Sequence, residues 1–394
     1  MKVLRQIGSV TAVNLRSLPQ RVGTSLVIII GIAGVVAVLI SVLAMSTGML
    51  KTMSNAGRDD RALVLRNGSA AEASSALALD AVRLIGDAAG VRRDADGKPI
   101  MSAESIRVFT GYRKEDGAEV NITIRGVGPQ IRALRPELEI VEGRMFEPAL
   151  TEVIVGQAAH RQFRGLNVGD TVRTRGANWK VVGVFTTGDA HESELMVDVE
   201  ALNAAESRGG NYQSVTVQLE SPRAFTAFKD SLTSNPALSV DVWREREYYE
   251  QQSEMITQII NIVAYVVGGI MAIGALFSAL NTMYSAVSAR VREIATLRAL
   301  GFGAAAIIVS VLVEALLLAA IGGGIGALIA WSFFHGRTAS TAANVYGQLI
   351  FDLTVSPELV AIGIVWACSI GLIGGLFPAI RAARLPVVDA LRAV

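Results

Sequence analysis

Four apolar runs decide what this chain can fold into. Leu26–Met45, Met255–Tyr284 and Leu359–Ile380 contain no charged residue, and Ala304–Phe334 contains one carboxylate, Glu314. About 20 apolar residues in a helix cross the hydrocarbon core of a bilayer. Inside that core each backbone polar group must be satisfied within its own segment, so such runs are read as helices. Between the first and second runs lie about 200 residues of ordinary soluble composition. The expected fold is an α-helical membrane protein of four transmembrane helices, with an α+β extracytoplasmic domain inserted between spans one and two. Composition agrees, since 18% of the chain is charged against about 25% in soluble domains. The single Cys368 excludes an intrachain disulfide framework.

Orientation follows from where the Lys and Arg residues fall around the spans. The stretch between Met49 and Met255 holds 25 Lys/Arg against 30 Asp/Glu, a net of −5. Of the remaining basic residues, Lys2, Arg5, Arg16, Arg21, Arg290, Arg292, Arg298, Arg381, Arg384 and Arg392 lie on one side, and Arg337 on the other. Both termini and the loop at 285–303 are therefore expected in the cytoplasm, with the large domain outside. The first apolar run, at about 20 residues, exceeds the usual core of a cleavable signal peptide, so it is expected to stay as an anchor.

These readings divide the chain in order. Residues 1–22 form a cytoplasmic amphipathic segment, 23–48 the first span and 49–252 the extracytoplasmic domain. Residues 253–284 form the second span, 285–303 a cytoplasmic loop, 304–334 the third span and 335–356 a short outer loop. Residues 357–380 are the fourth span and 381–394 a cytoplasmic tail. In the outer domain the patterns predict a helix over Ser74–Ala88 and strands over Ser105–Tyr112 and Ala118–Val127. They also predict a strand over Glu152–Val155, a helix over Gln157–Phe163, a hairpin around Gly176-Ala177-Asn178, and a strand over Ser214–Leu219. The polar stretch Arg244–Gln252 contains no Pro or Gly, so the second span is expected to begin as a helix outside the membrane. Small residues punctuate the spans at Gly31 and Gly34, Gly274 and Ser278, Gly322 and Gly326, and Gly371 and Gly375. Such residues let helices approach closely in lipid, within one subunit or between two.

Chemistry of the ordinary kinds is missing. A P-loop requires G-x-x-x-x-G-K-[ST] so that Lys reaches the phosphates; the nearest segment, Gly183–Asp189, has Asp189 in the Lys position. His191-Glu192 begins like a zinc-protease helix, but Leu195 stands where the second His is required. Three His in total argue against a His-rich metal site, and no G-x-S-x-G occurs. No catalytic or metal-ligating residue is assigned. Glu314, about ten residues into the third run, carries a cost of at least ~2.5–3.5 kcal/mol as a mid-bilayer charge unless it is partnered. A polar clasp to Ser278, Asn281 or Thr282 on a neighbouring span is the expected solution, and one that would tolerate Glu314→Gln; the alternative is a proton or substrate contact, which usually needs more than one ionisable residue.

The loop after the second span carries a distinctive pattern. Ser288–Gly301 (S-A-R-V-R-E-I-A-T-L-R-A-L-G) resembles the R-x-R-E-I-G-x-L-R-A-x-G signature of the MacB/FtsX-like ABC transporter permeases. Glu314–Leu318 with Gly322–Gly326 resembles that family's third span. The tail from Gly375 to Pro386, with Asp389–Arg392, resembles its C-terminal motif, and Asn14–Thr24 its N-terminal segment. Glu142–Phe146, Glu152–Val155 and Gly165–Asp170 look like its periplasmic core. Ala295 and Asp389 are mild departures, and residues 66–104 match no familiar pattern.

The resemblance implies a permease subunit that couples ATP hydrolysis by a separate cytoplasmic ATPase, present in two copies, to movement of its periplasmic domain. That movement would drive export or extraction of a substrate; the alternative is an FtsX-like subunit that activates a cell-wall hydrolase. It implies a dimer with a second permease copy or a paralogue, and a periplasmic fusion or adaptor protein. ATP and Mg would be bound by the partner, with no cofactor in this chain. The resemblance places the chain in the inner (plasma) membrane of a bacterial cell, and no nucleic-acid partner is implied. Arg290, Arg292, Glu293 and Arg298 are the implied ATPase-coupling residues.

Overall fold

The computed structural model describes residues 2–17, 22–207, 209–341 and 348–384. Arg21, Asp389 and Arg392, together with the tail from 385 onward, lie outside the described residues. The chain divides into two compact units. One comprises residues 1–47, 258–337 and 353–394; the other comprises 48–257 and 338–352.

Eleven helices and fourteen strands are described. In chain order the first are α1 (Lys2–Ser17), α2 (Val22–Ala56), β1 (Arg61–Arg66), β2 (Leu77–Ala78), α3 (Leu79–Gly86), β3 (Met101–Tyr112), β4 (Glu119–Val127), α4 (Ile131–Leu134) and β5 (Glu139–Gly143). Next come β6 (Glu152–Gly156), α5 (Gln157–Gln162), β7 (Thr171–Arg173), β8 (Asn178–Thr186), β9 (Leu195–Asp198), α6 (Val199–Ala205), β10 (Asn211–Tyr212), β11 (Ser214–Gln218), α7 (Phe225–Thr233) and β12 (Val240–Arg244). The last are α8 (Glu245–Ala289), α9 (Val291–Ala299), α10 (Ala304–Phe334), β13 (Thr338–Ser340), β14 (Ile350–Asp352) and α11 (Pro357–Ala383).

Among the described residues, helices α2, α8, α10 and α11 are long and apolar enough to cross a membrane. Ser356 accepts from the Leu359 N–H and Pro357 opens α11, because a side-chain oxygen replaces the missing backbone acceptor and Pro has no N–H to lose. Small residues set the packing of this unit. A Cβ on Gly371 would sit 2.5 Å from Ala319 Cβ, and one on Gly375 2.7 Å from Ala315 Cβ, so α11 lies directly on α10. Gly322 and Gly326 seat α2 in the same way, their Cβ positions lying 2.9 Å from the Ile29 oxygen and 2.5 Å from the Ala33 oxygen. These contacts lie within one subunit. A Cβ on Gly31, Gly34 or Gly274, by contrast, would meet no atom of another helix within 4 Å.

The outer unit is built on a ten-stranded mixed sheet, ordered β12-β1-β11-β3-β4-β9-β6-β8-β5 with β7 paired to β8. Pairing is parallel for β4/β9 and β6/β8 and antiparallel elsewhere, as between β3 and β4. Alternate strand residues and the short helices form the cores. One collects Val64, Val82, Ile85, Val215, Phe228 and Val242; another collects Ile122, Val155, Phe163, Trp179 and Leu195.

Two local expectations change. The Ala-rich stretch 74–88 is not one helix: Glu72–Ser74 is a 3-10 turn, β2 pairs with β10, and only α3 is α-helical. Burying Leu77 at 3% exposure outweighs the helix preference of its neighbours. The outer loop at 335–356 is also more than a connection. Its residues 338–352 belong to the outer unit as the β13/β14 hairpin. Ile350 sits in the core beside Trp179, and the Gln348 N–H donates to the Asn121 carbonyl at 2.9 Å.

Candidate functional site

The short helix α9 follows α8 after one residue, Arg290, which stands at its N-cap without capping it through its side chain. The residues implied to couple to an ATPase point in different directions. Arg292 and Glu293 are exposed, and Arg298 is half-buried with its guanidinium donating to the Ala383 carbonyl at the end of α11. A cation suits that position, because the last carbonyls of a helix have no intrahelical partner. Arg290 is 4% exposed and turned inward, so it offers no docking surface.

Arg290 instead meets Glu314. Its Nη2 donates to both carboxylate oxygens at 2.7 Å each, and Glu314 is 3% exposed. Its Nη1 donates to Asn14 Oδ1, and Asn14 Nδ2 donates to Ser310 Oγ at 2.7 Å. This corrects the expected clasp. Ser278, Asn281 and Thr282 do not partner Glu314: Thr282 Oγ1 donates to the Ser278 carbonyl on its own helix at 2.8 Å, and Asn281 is exposed. A full charge gains far more from a guanidinium than from a neutral amide or hydroxyl, and Arg290 is within reach.

A second ionic assembly lies in the outer unit, and the sequence reading did not find it. On β4, Arg125 donates to Glu194 at 2.6 and 3.0 Å, to Glu104 at 2.8 Å and to Glu72 at 3.0 Å. Burial opposes the charge on Arg125, yet Glu194 and Glu72 hold its pKa well above the usual value. Burial likewise works against Glu72, and Arg125 nevertheless keeps it below the usual carboxylate range. Beside this group, Glu245 is fully buried. It accepts from Arg135 at 2.5 Å, from Arg61 at 3.5 Å and from the Arg58 N–H at 3.1 Å. Arg61 also pairs with Glu137 at 2.7 Å.

Glu245 is the first residue of α8, so these contacts hold the outer end of that helix to β1 and to the turn after α4. Tyr248 and Tyr249, one turn on, reinforce it: Tyr248 Oη accepts from the Glu72 N–H at 3.0 Å, and Tyr249 Oη lies 3.3 Å from His191 Nε2. A cavity of about 220 Å³ opens beside them, lined by Met49, Met53, Ile106, Leu349, Arg125 and Glu194 among others.

The arrangement holds helices and strands in place; it does not align a nucleophile with a base. Among the described residues no group of three or more His, Cys, Asp and Glu is placed to hold a metal ion. Glu72, Glu104, Glu194 and Glu245 are turned onto arginines. Only the nearness of Glu245 to the end of β12 could have signalled its role, and nothing in the linear spacing of Arg61, Arg125 and Arg135 marks them as buried.

Comparison with known proteins gives the family. Residues 22–235 match the MacB-like periplasmic core domain, and residues 265–387 match the FtsX-like permease C-terminal domain. An ABC transporter permease of Methanocaldococcus jannaschii is 24% identical over 265 residues, covering 64% of this chain and 65% of the relative. The ABC transporter permease YknZ of Bacillus subtilis is 24% identical, covering 98% of this chain and 97% of its own. The macrolide export ATP-binding/permease protein MacB of Rhodopirellula baltica is 32% identical over 151 residues, covering 35% of this chain and 20% of the relative. This chain thus spans about two thirds of the archaeal relative and a fifth of the MacB relative. With four membrane-length helices among the described residues and a domain of the matched kind inserted in sequence between the first and second, the chain belongs to the MacB/FtsX-like family of ABC transporter permeases.

Proposed function

We propose that this permease couples ATP hydrolysis by a separate cytoplasmic ATPase to movement of its extracytoplasmic domain, and thereby drives export or extraction of a substrate. The observation that carries the reading is α8. It is one helix from Glu245 to Ala289, with Glu245 held by Arg61 and Arg135 at its start and Arg290 held by Glu314 just past its end. A helix of 45 residues rises about 1.5 Å per residue, and a stiff element of that length can carry a displacement from one end to the other. In this reading two ATPase copies dock at α9, two permease chains form the dimer, and a fusion or adaptor protein engages the outer domain. The chain lies in the inner membrane with cytoplasmic termini. The match to a MacB-like core over residues 22–235 favours transport over hydrolase activation.

The test is a short Gly/Ser insertion after Glu250, which breaks the helix without touching either ion-pair cluster. ATPase docking and basal hydrolysis should persist while export is lost. Normal export by the insertion variant would mean that the outer domain is merely tethered.

A further inference from the structure

Glu314, Arg290, Asn14 and Ser310 form a chain of hydrogen bonds that begins and ends on α10. Ser310 and Glu314 stand one turn apart on α10 and so share a face. Arg290 precedes α9, and Asn14 belongs to α1. Glu314 accepts from Arg290, Arg290 donates to Asn14, and Asn14 donates to Ser310, which returns the chain of bonds to α10. Along it Nη2 and Nη1 of Arg290 and Nδ2 of Asn14 each donate to an oxygen. One guanidinium therefore fixes three elements at the junction where α8 ends and α9 begins.

We propose that Arg290 and Glu314, with Asn14, are positioning residues for energy coupling. They fix α9 to α10 and α1, so that a push on the exposed face of α9 moves α10 instead of swinging α9 about the single residue that joins it to α8. This rests on the permease reading above. The chemistry favours positioning over bulk stability. A buried ion pair often adds little net stability relative to well-packed apolar residues, because desolvation offsets the attraction. The planar fork of Arg, however, fixes direction at two partners at once, which a Lys ammonium does not. The pairing also changes the expectation for Glu314→Gln. With a neutral partner the substitution would be mild; with Arg290 as partner it strands a buried guanidinium.

The experiment measures α9 directly. Spin labels at Thr296→Cys on α9 and Ser332→Cys at the far end of α10, in a Cys368→Ser background, report their separation in lipid nanodiscs. The chain with intact Arg290 and Glu314 should give one narrow distance maximum. Arg290→Lys, and the double variant Arg290→Gln with Glu314→Gln, should both give several maxima. The double variant strands no charge, so its melting temperature should stay near that of the parent even if Arg290→Gln alone fails to fold. A single narrow maximum in the double variant, at the parent distance, would overturn the proposal, as would a melting loss in Arg290→Lys with the distance unchanged. The labels need no partner. Failure to capture any ABC ATPase on the unaltered chain would count against the permease reading alone.

Discussion

Asp189 carries a charge while buried beside His191. Burial opposes its ionisation, but His191, Arg135 and the Thr187 hydroxyl together bring its pKa from 3.8 to about 2. A carboxyl whose folded pKa is depressed contributes stability above its unfolded pKa and loses it as the pH falls through the folded one. Here the contribution is complete above about pH 4, is lost toward pH 2, and amounts to about 2 kcal/mol. Asp189→Asn keeps an oxygen for the His191 N–H and the Thr187 hydroxyl, which Asp189 now bonds at 2.9 and 2.7 Å, but it removes the charge. The variant should melt lower than wild type throughout pH 5–8, and the difference should vanish as pH approaches 2. Thermal unfolding of the detergent-solubilised chain across that range decides it; a gap that ignores pH would exclude the electrostatic cause. At this scale the sequence says least. Arg290 was legible as one of the cations clustered outside the spans and Glu314 as a buried acid in need of a partner. Their meeting depends on the fold at the end of α8, and no periodicity encodes a contact between side chains 24 positions apart.

At the scale of elements, hydrophobic pattern was a better guide. The four membrane-length helices and the strands β3, β4, β6, β7, β8 and β11 follow directly from apolar runs and alternation, whereas β1, β5, β9 and β12 of the same sheet were not expected. Where the pattern failed, a tertiary contact had outweighed local preference. The hairpin β13/β14 is the clearest case, because a short loop between two spans carries no alternation long enough to declare itself. Its Ile350 is 4% exposed and packs with Val120 and Trp179, while Ser193 Oγ accepts from the Ile350 N–H at 2.9 Å. Ile350→Ala removes buried methyl groups and should cost about 2–4 kcal/mol of local stability, as such truncations do in other cores. The loss should appear as faster proteolytic cutting within 338–352 and faster amide exchange at residues 350–352. Unchanged cutting would mean that the hairpin is held by its backbone bonds alone.

At the scale of the whole molecule, charge and composition set the division of labour. The outer stretch is acidic, with 30 Asp/Glu against 25 Lys/Arg, while nearly all remaining cations fall on the other side of the spans. In the proposed orientation, the exposed residues of α9, Arg292 and Glu293, stand where a cytoplasmic partner can reach them. These 394 residues contain no Gly-rich phosphate loop with its Lys, so nothing in them can cradle a triphosphate in the way ATPases of that class do. The purified chain should therefore show no ATP turnover, and turnover should appear when an ABC ATPase is added. Glu293→Ala should weaken capture of that ATPase with the melting temperature unchanged, because the residue is exposed and its loss opens no cavity. Arg298→Ala should lower both, because Arg298 also holds the Ala383 carbonyl at the end of α11. Comparing the two variants separates docking from architecture. Turnover by the chain alone would refute the need for a partner, and full capture by Glu293→Ala would show that α9 is held by other contacts.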